Sequence, residues 1–199
     1  MSLTTLIHAQ GQISVGRSHL IPILPVYRLL DPCDDTGPRD RALGANYSAE
    51  LWLAVGANAQ ETSLSRTEAV PVVNLQPDGR FWIGSGYTVN GIVALERVTL
   101  QVRVWENRGG EIASWLEASQ RNDVAFGKSS LIRNYYLGGV TSDGTGYLAL
   151  SIFDFLGPIT ISTVCPEPSS YLLLALGAGC GLLMRRRSAG GTTRARAQY

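Results

Sequence analysis

The chain has little of the chemistry that catalytic and metal sites usually require. Its 199 residues include only two histidines, His8 and His19, and three cysteines, which lack the paired spacing of zinc and redox motifs. A serine nucleophile generally needs a histidine base beside it, and the chain has no Gly-x-Ser-x-Gly elbow. We therefore expect no enzymatic activity, no metal and no cofactor.

Positive charge is also scarce in most of the chain. There is one lysine, Lys128, and five of the seventeen basic residues come after residue 184. Residues 1–164 hold twelve basic and fifteen acidic residues, a formal charge of −3. A mildly acidic body offers no basic patch for nucleic acid, so we expect no nucleic-acid partner.

The cysteines leave two interpretations open. Cys180 falls within an apolar run near the C-terminus, so the bridge that the sequence allows joins Cys33 to Cys165. Such a bridge requires an oxidising compartment. Three unpaired thiols explain the sequence equally well.

The N-terminal segment, residues 1–11, is too short and lacks the basic residues of a working secretory signal. It fits the end of a truncated signal peptide with Ala9 at the cleavage site. A plain disordered N-terminus fits equally well.

Alternation of apolar and polar residues dominates from residue 12 onward. It is clearest in 47–55 and 98–105, which predict antiparallel strands with one face buried and one face in water. Turn residues separate the runs. Further strands are predicted at 12–16, 20–28, 69–75, 80–83, 92–95, 131–137, 147–153 and 159–164.

One helix is predicted within this pattern. Ile112, Trp115, Leu116 and Ser119 keep helical spacing within residues 111–121, enough for about three turns. Short strands at regular intervals favour an all-β fold. We expect a single antiparallel β-sandwich of jelly-roll or Ig-like type over residues 12–164, with one short helix.

Several polar groups could in principle form a site in this body. The loop 31–41 is rich in aspartate and could hold calcium, but it lacks the EF-hand spacing, and aspartate, proline and glycine are ordinary loop residues. Paired carboxylates could cleave a glycoside, yet solvated strand faces routinely carry such residues. The available carboxylates are Glu50, Glu96, Glu106, Glu111 and Asp154.

Aromatic residues allow a sugar-binding platform, although packing in the core or against the helix is the favoured interpretation. The residues in question are Trp52, Trp82, Trp105, Trp115, Tyr135 and Tyr136.

The C-terminal region changes character. Residues 169–184 carry no charge and would span roughly 24 Å as a helix, somewhat less than a ~30 Å hydrocarbon core. The run is apolar on all sides and ends in Arg185, Arg186 and Arg187, which can reach lipid headgroups. We therefore predict a C-terminal transmembrane helix, with the arginines in the cytoplasm and the body outside it.

The residues Pro166-Glu167-Pro168, the apolar run 171–184 and the arginines 185–187 together resemble the PEP-CTERM sorting signal. The resemblance implies that a membrane-embedded exosortase recognises the tail and processes the protein near the proline triplet. It also implies export to the envelope or extracellular matrix of exopolysaccharide-producing bacteria. On this interpretation residues 165–187 are the sorting segment and 188–199 a basic disordered tail.

Two features depart from that pattern: the chain continues beyond the arginines, and the N-terminal signal is incomplete. The body, over roughly residues 45–137, also resembles a β-rich domain that recurs in such proteins. The similar segments are Tyr47-Ser48-Ala49-Glu50-Leu51, Gly86-Tyr87, residues 100–106 and Gly127-Lys128-Ser129-Ser130. That similarity implies a fold and no established activity.

From these features we expect an exported bacterial envelope or matrix protein of structural or adhesive type, with an exosortase, the membrane and exopolysaccharide as partners. The alternative is a carbohydrate-binding or, less often, carbohydrate-cleaving module of the exopolysaccharide matrix. A third hypothesis is a permanently anchored membrane protein that is not processed.

Overall fold

The computed structural model describes residues 10–15, residues 26–77 apart from 32, 35 and 43, and residues 84–165. The chain divides into two compact units, residues 1–164 and residues 165–199. The predicted transmembrane helix lies outside the described residues. Among those that are described, no helix is long and apolar enough to cross a membrane.

The described part of the first unit is mostly β-structure with one short α-helix, as the sequence predicted. The helix α1 spans Trp115–Ser119. The strands are β1 (Gln10–Val15), β2 (Val26–Leu29), β3 (Arg39–Arg41), β4 (Tyr47–Val55), β5 (Ser65–Arg66), β6 (Val73–Asn74), β7 (Gly84–Val89), β8 (Arg97–Glu106), β9 (Phe126–Lys128), β10 (Ile132–Tyr136), β11 (Gly138–Val140), β12 (Gly146–Tyr147) and β13 (Ile159–Ile161).

These strands form three sheets. One has the order β12-β11-β1-β7, and a second has the order β10-β8-β4-β5, with β6 paired to β4 and β9 to β8. The third has the order β13-β2-β3. The pairs are antiparallel except β13 with β2, which is parallel, so the prediction of purely antiparallel pairing is wrong for that pair.

The pairing of β4 with β8 forms the centre of the body. It runs in unbroken register from Tyr47 opposite Glu106 to Val55 opposite Val98. The faces that alternation predicts to be buried are correct in both strands except at Val55, which is exposed. The other alternate apolar residues lie in or pack against one hydrophobic core. That core also takes in Ile13, Val26, Ile132 and Ile161 from other strands.

The expectation that β8 has a face in water is wrong. Every residue of β8 from Val98 to Trp105 is buried. A second cluster covers part of the outer face, with Trp105, Ile112, Ala118 and Val124 buried together. Sequence alternation shows which residues share a face of a strand. It does not show that another segment covers the polar face.

The helix is shorter than predicted. Residues 108–110 form a 3₁₀ turn, and the Trp105 indole N–H donates to the carbonyl of Ile112 at 2.9 Å. The residues before 114 therefore pack over Trp105 and are not α-helical. The helix begins after Ser114, whose side chain caps it by accepting a hydrogen bond from the Glu117 N–H. Leu116 is exposed, so its assignment to the buried stripe was also wrong.

Other predicted strands are shortened, and one is absent. Residues 92–95 form turns, because Leu95 has a φ of 66° that interrupts extended backbone. Of the predicted strands 69–75 and 147–153, only the two-residue strands β6 and β12 overlap them. The segment 84–86 begins strand β7, although its Gly-Ser-Gly sequence is typical of a turn.

The first strand begins earlier than expected. Gln10 and Gly11 pair with Val140 and Gly139 of β11, so both residues belong to the β body rather than to the N-terminal segment. Gly11 is closely packed, and an added Cβ would lie 2.6 Å from the side chain of Leu137.

The last strand, β13, connects two of the sheets. It pairs with β2 on one side, and Ser162 just beyond it bridges Phe126 of β9 on the other. Gly127 permits this approach, because a Cβ there would lie only 2.1 Å from the carbonyl oxygen of Thr160.

Candidate functional site

The predicted sorting residues Pro166, Glu167 and Pro168 and the predicted membrane stop at residues 185–187 lie outside the described residues. The last described strand, β13, ends at Ile161, and residues 162–165 are described up to the start of the triplet. The role of these residues stays a prediction from the sequence.

Cys33 and Cys165 are both half-cystines in the structure. Strands β2 and β13 run parallel, and each cysteine follows the end of its strand by a few residues, after Leu29 and Ile161 respectively. Their pairing with each other stays a prediction.

The aspartate loop uses its carboxylates to form turns. Asp31 accepts a hydrogen bond from the Cys33 N–H at 2.9 Å. Asp34 accepts from the N–H and hydroxyl of Thr36, and these bonds lower the pKa of Asp34. In the part of the chain that the structure describes, no group of three acidic, histidine or cysteine side chains is placed to hold a metal.

The most elaborate polar arrangement is on the outer face of β4 and β8, and we call it the Arg103 cluster: Glu50, Trp52, Gln101, Arg103 and Trp115. The guanidinium carbon of Arg103 lies 3.6 Å from the ring centroid of Trp52 and 4.3 Å from that of Trp115. Its Nε donates to the Gln101 side-chain oxygen at 2.9 Å. A cation between two indole faces is a favourable arrangement when it is shielded from water, and the Arg103 side chain is only 7% exposed.

Acidic residues around the Arg103 cluster balance its charge. Glu61 lies 3.7 Å from Arg103 and also pairs with Lys128, whose hydrogen bond lowers the pKa of Glu61. Burial lowers the pKa of Arg103. The negative charges of Glu61 and Glu50 attract the guanidinium and oppose this lowering of its pKa. The guanidinium therefore stays charged and paired, as a buried structural cation requires.

Glu50 is the most deeply buried acid of this group. One oxygen accepts a hydrogen bond from the Trp52 indole at 2.7 Å. The other has no hydrogen-bond partner and lies 3.6 Å from Nε of Arg66. Glu50 is thus held by Trp52 and by the neighbouring cations rather than presented to a ligand.

The described aromatic rings do not form a flat platform for sugars. Trp52 and Trp115 meet at an interplanar angle of 72°, and Trp115 and Phe126 at 87°. Trp105 and Tyr135 are buried. Burial raises the pKa of Tyr135 to about 12, and its hydroxyl donates to the carbonyl of Leu150. Trp82 lies outside the described residues.

Two of the candidate carboxylates, Glu50 and Glu106, lie on opposite faces of one sheet. Glu106 of β8 lies opposite Tyr47 of β4, and Glu50 comes three residues after Tyr47 on β4. Because side chains alternate along a strand, an odd separation puts them on different faces. They cannot act on one glycosidic bond.

A polar cavity of about 330 Å³ opens where β2 and β3 meet the beginning of β4, and we call it the Arg28 cavity. Its walls are Arg28, Leu29, Leu30, Asp40, Arg41, Tyr47 and Thr163. No pattern in the sequence indicated it, because its residues come from three separate strands and a segment over 100 positions away.

Arg28 is the central side chain of this cavity. Its Nη1 donates to the Tyr47 hydroxyl at 3.5 Å, and its Nη2 lies 3.6 Å from a carboxylate oxygen of Glu106. That oxygen is buried and has no hydrogen-bond partner. Tyr47 of β4 and Glu106 of β8 together hold the Arg28 side chain at the end of the sheet that these strands form.

Comparison with known proteins finds a match, to a sorting motif near the C-terminus of the chain. Residues 164–187 match the PEP-CTERM protein-sorting motif, which confirms the resemblance seen in the sequence. No curated protein and no solved structure matches the chain. The motif implies an exported protein of the cell envelope that is sorted by an exosortase.

Proposed function

We propose that this is a structural or adhesive protein of the bacterial envelope or extracellular matrix. The match of residues 164–187 to the sorting motif carries the proposal. Within that segment, Pro166 to Pro168 form the recognition and processing element. Residues 171–184 form a membrane helix during sorting, and Arg185 to Arg187 keep their end in the cytoplasm.

The proposal places the β body, as a sandwich, outside the cytoplasm. The three sheets and their shared apolar core support a sandwich of jelly-roll or Ig-like type. A non-catalytic role is supported by the separation of Glu50 from Glu106 and by the charge pairing around Arg103.

An N-terminal signal fits the position of the first strand. Cleavage after Ala9 would leave Gln10 at the new N-terminus, and Gln10 is the first residue of β1. Strand β1 lies between β11 and β7, so cleavage further along would remove a strand from the middle of a sheet.

The experiment is terminal peptide mapping and intact mass of the protein from its native host. We expect a C-terminus near Pro168 for the wild type. A triple variant, Pro166→Ala, Glu167→Gln and Pro168→Ala, should keep the tail to Tyr199. The matched control, Arg194→Ala with Arg196→Ala beyond the motif, should be processed normally. An intact tail in the wild type would instead support a permanent anchor.

Carbohydrate binding is the second candidate function, and the Arg28 cavity favours it because the cavity offers donors, an acceptor and apolar carbon together. Retention of the protein on polysaccharide resins tests this candidate. No retention on a panel of resins, with no glycosidase activity, would exclude it.

A further inference from the structure

We propose that Asn90 is a site of spontaneous deamidation that the native fold leaves unprotected. Asn90 and Gly91 form a turn directly after strand β7, Gly84–Val89. Water is the only co-reactant, and the product is an aspartyl or isoaspartyl residue at position 90. This change follows folding and depends neither on the structural or adhesive role nor on carbohydrate binding.

The reaction begins when the backbone nitrogen of Gly91 attacks the side-chain carbonyl carbon of Asn90. A new C–N bond forms, the proton of the Gly91 N–H passes through water to the leaving amide nitrogen, and ammonia departs. Water then opens the resulting five-membered succinimide ring. Attack at the former side-chain carbonyl breaks the new C–N bond and gives aspartate. Attack at the former main-chain carbonyl breaks the original peptide bond and gives isoaspartate, and neither route needs an oxidant or reductant.

The attacking nitrogen is accessible in the folded protein. Gly91 is exposed, and its N–H has no hydrogen-bond partner among the residues that the structure describes. A hydrogen bond there would hold the proton that has to leave. Gly91 also lacks the Cβ that would crowd the approach, and its φ of 78° favours glycine. The turn therefore needs the residue that makes it reactive.

The side chain under attack is also unrestrained. Asn90 is exposed, and within the described part of the chain its amide makes no hydrogen bond. Asn107 is the contrast, because it is 3% exposed and its amide donates to the Ala45 carbonyl and to the Ser48 hydroxyl. An amide held in this way cannot turn toward the nitrogen of the next residue.

Neighbouring residues distinguish Asn90 from the other candidates. Each of the other six asparagines precedes a residue with a side chain, including exposed Asn122, which precedes an aspartate. Asp143 precedes a glycine, but its carboxylate accepts from the Thr141 hydroxyl and the Thr145 N–H. The Gly144 N–H donates to the Thr141 carbonyl at 2.9 Å. The fold thus protects the Asp143 turn and leaves the Asn90 turn open.

The residues on both sides of Asn90 limit how the fold can absorb isoaspartate. Val89 is buried and pairs with Gly11 of β1. Ile92 is buried, and its carbonyl accepts from the Gly11 N–H at 2.7 Å. Isoaspartate inserts one extra main-chain atom between these two attachments, so the hydrogen bond from Gly11 to Ile92 should weaken.

Peptide mapping of the full-length protein by mass spectrometry tests the proposal after incubation at mildly alkaline pH. We expect the Asn90 peptide to show the mass change of an amide converted to an acid, and an isoaspartate-specific methyltransferase to label it. Mildly acidic pH should slow the change, because the attacking nitrogen must lose its proton. Asn122 and Asn107 are internal controls, and both should keep their amides while most of the Asn90 amide is lost.

A parallel incubation in urea separates the effect of the fold from that of the sequence. Asn90 should convert at a similar rate in the folded and the unfolded chain, because the native turn does not protect it. Asp143 should isomerise much faster in urea, because its native hydrogen bonds are then absent.

Two variants separate the added charge from the altered main chain. Asn90→Asp carries the charge on an ordinary main chain, and freshly prepared it should match the fresh wild type in hydrogen exchange at the Gly11 amide. Aged wild type should exchange faster there, because its bond to the Ile92 carbonyl is weakened. Asn90→Gln forms the ring much more slowly, so ageing should leave its exchange at Gly11 unchanged.

Three results would overturn the proposal: an unchanged Asn90 after alkaline incubation of the folded protein, equal conversion of Asn122, or an Asn90 rate that rises steeply in urea. Unchanged exchange at Gly11 in protein that contains isoaspartate would contradict the predicted effect on β1. None of these results bears on the processing of the tail, which is measured separately.

Discussion

The Arg103 guanidinium stacks on the indole of Trp52, 3.6 Å from its ring centroid, on the face of the central sheet that alternation assigned to water. Helix α1 covers this face and places the Trp115 ring against the same cation, with its centroid 4.3 Å from the guanidinium carbon. The polar residues of that face therefore form a buried, charge-balanced layer.

Replacing Arg103 should destabilise the body strongly. Arg103→Ala removes a buried cation that stacks on two indole rings, donates a hydrogen bond to Gln101 and lies opposite Glu50 in the pairing of β4 with β8, and we expect a cost of about 2–4 kcal/mol. Urea unfolding followed by tryptophan fluorescence measures the change in the free energy of unfolding. Arg133→Ala, at an exposed position, is the control and should change it by less than about 0.5 kcal/mol. Equal stability of the two variants would mean that the cluster contributes little.

A second prediction concerns acid pH. The hydrogen bond from Lys128 and the attraction of Arg103 hold the pKa of Glu61 below its ordinary value of 4.5. A depressed carboxyl pKa adds stability above the unfolded-state pKa, and that stability is lost as the pH falls through the folded-state pKa. The melting temperature should therefore fall below about pH 4.5.

Glu61→Gln isolates this contribution. The wild type should melt above the variant at neutral pH, and the difference should shrink as the pH is lowered toward about 3. High salt should reduce the difference as well, because Glu61 is partly exposed. A difference that is constant with pH would mean that the ionised form of Glu61 is not what stabilises the fold.

The sequence predicted those features that depend on local pattern. The bounds of β4 and the inward faces of β4 and β8 follow from alternation alone, and the sorting segment follows from three unlike elements in order. Alternation could not show that Ile112 and α1 cover Trp105, since it describes the faces of one strand and not the segment that packs on them. The parallel pairing of β13 with β2 and the Arg28 cavity likewise depend on contacts between residues more than 100 positions apart.

A third prediction concerns the cysteines. If Cys33 pairs with Cys165, alkylation of the denatured protein without reduction should leave both unlabelled, and alkylation after reduction should label both. Cys180, in protein that keeps its tail, should be labelled in either case. The bridge closes a loop of more than 100 residues, so its loss should reduce the free energy of unfolding by up to about 5 kcal/mol. The double variant Cys33→Ser with Cys165→Ser should show that loss, whereas Cys180→Ser should not.

Mass spectrometry of the alkylated protein decides the pairing. The protein should be purified from an oxidising compartment, because reduction in the cytoplasm would remove the bridge. Labelling of Cys33 and Cys165 in that sample without reductant would contradict the pairing.

The last prediction tests how the final strand is attached, by comparing two glycine substitutions. In Gly127→Ala, the new Cβ would lie 2.1 Å from the carbonyl oxygen of Thr160, which is backbone and cannot rotate away. Strand β13 would have to separate from β9, at a cost of about 1–3 kcal/mol. Gly157→Ala is the matched control just before β13, since nothing lies within 4 Å of its added Cβ.

Hydrogen exchange of the amides measures the attachment directly. Gly127→Ala should speed exchange at Phe126 and Ser162, whose amides donate to each other's carbonyl groups across the bridge. Gly157→Ala should leave both protected. Unchanged protection in Gly127→Ala would contradict the close packing of β13 on β9. If the prediction holds, the strand that leads into the sorting motif is anchored by hydrogen bonds to both β2 and β9.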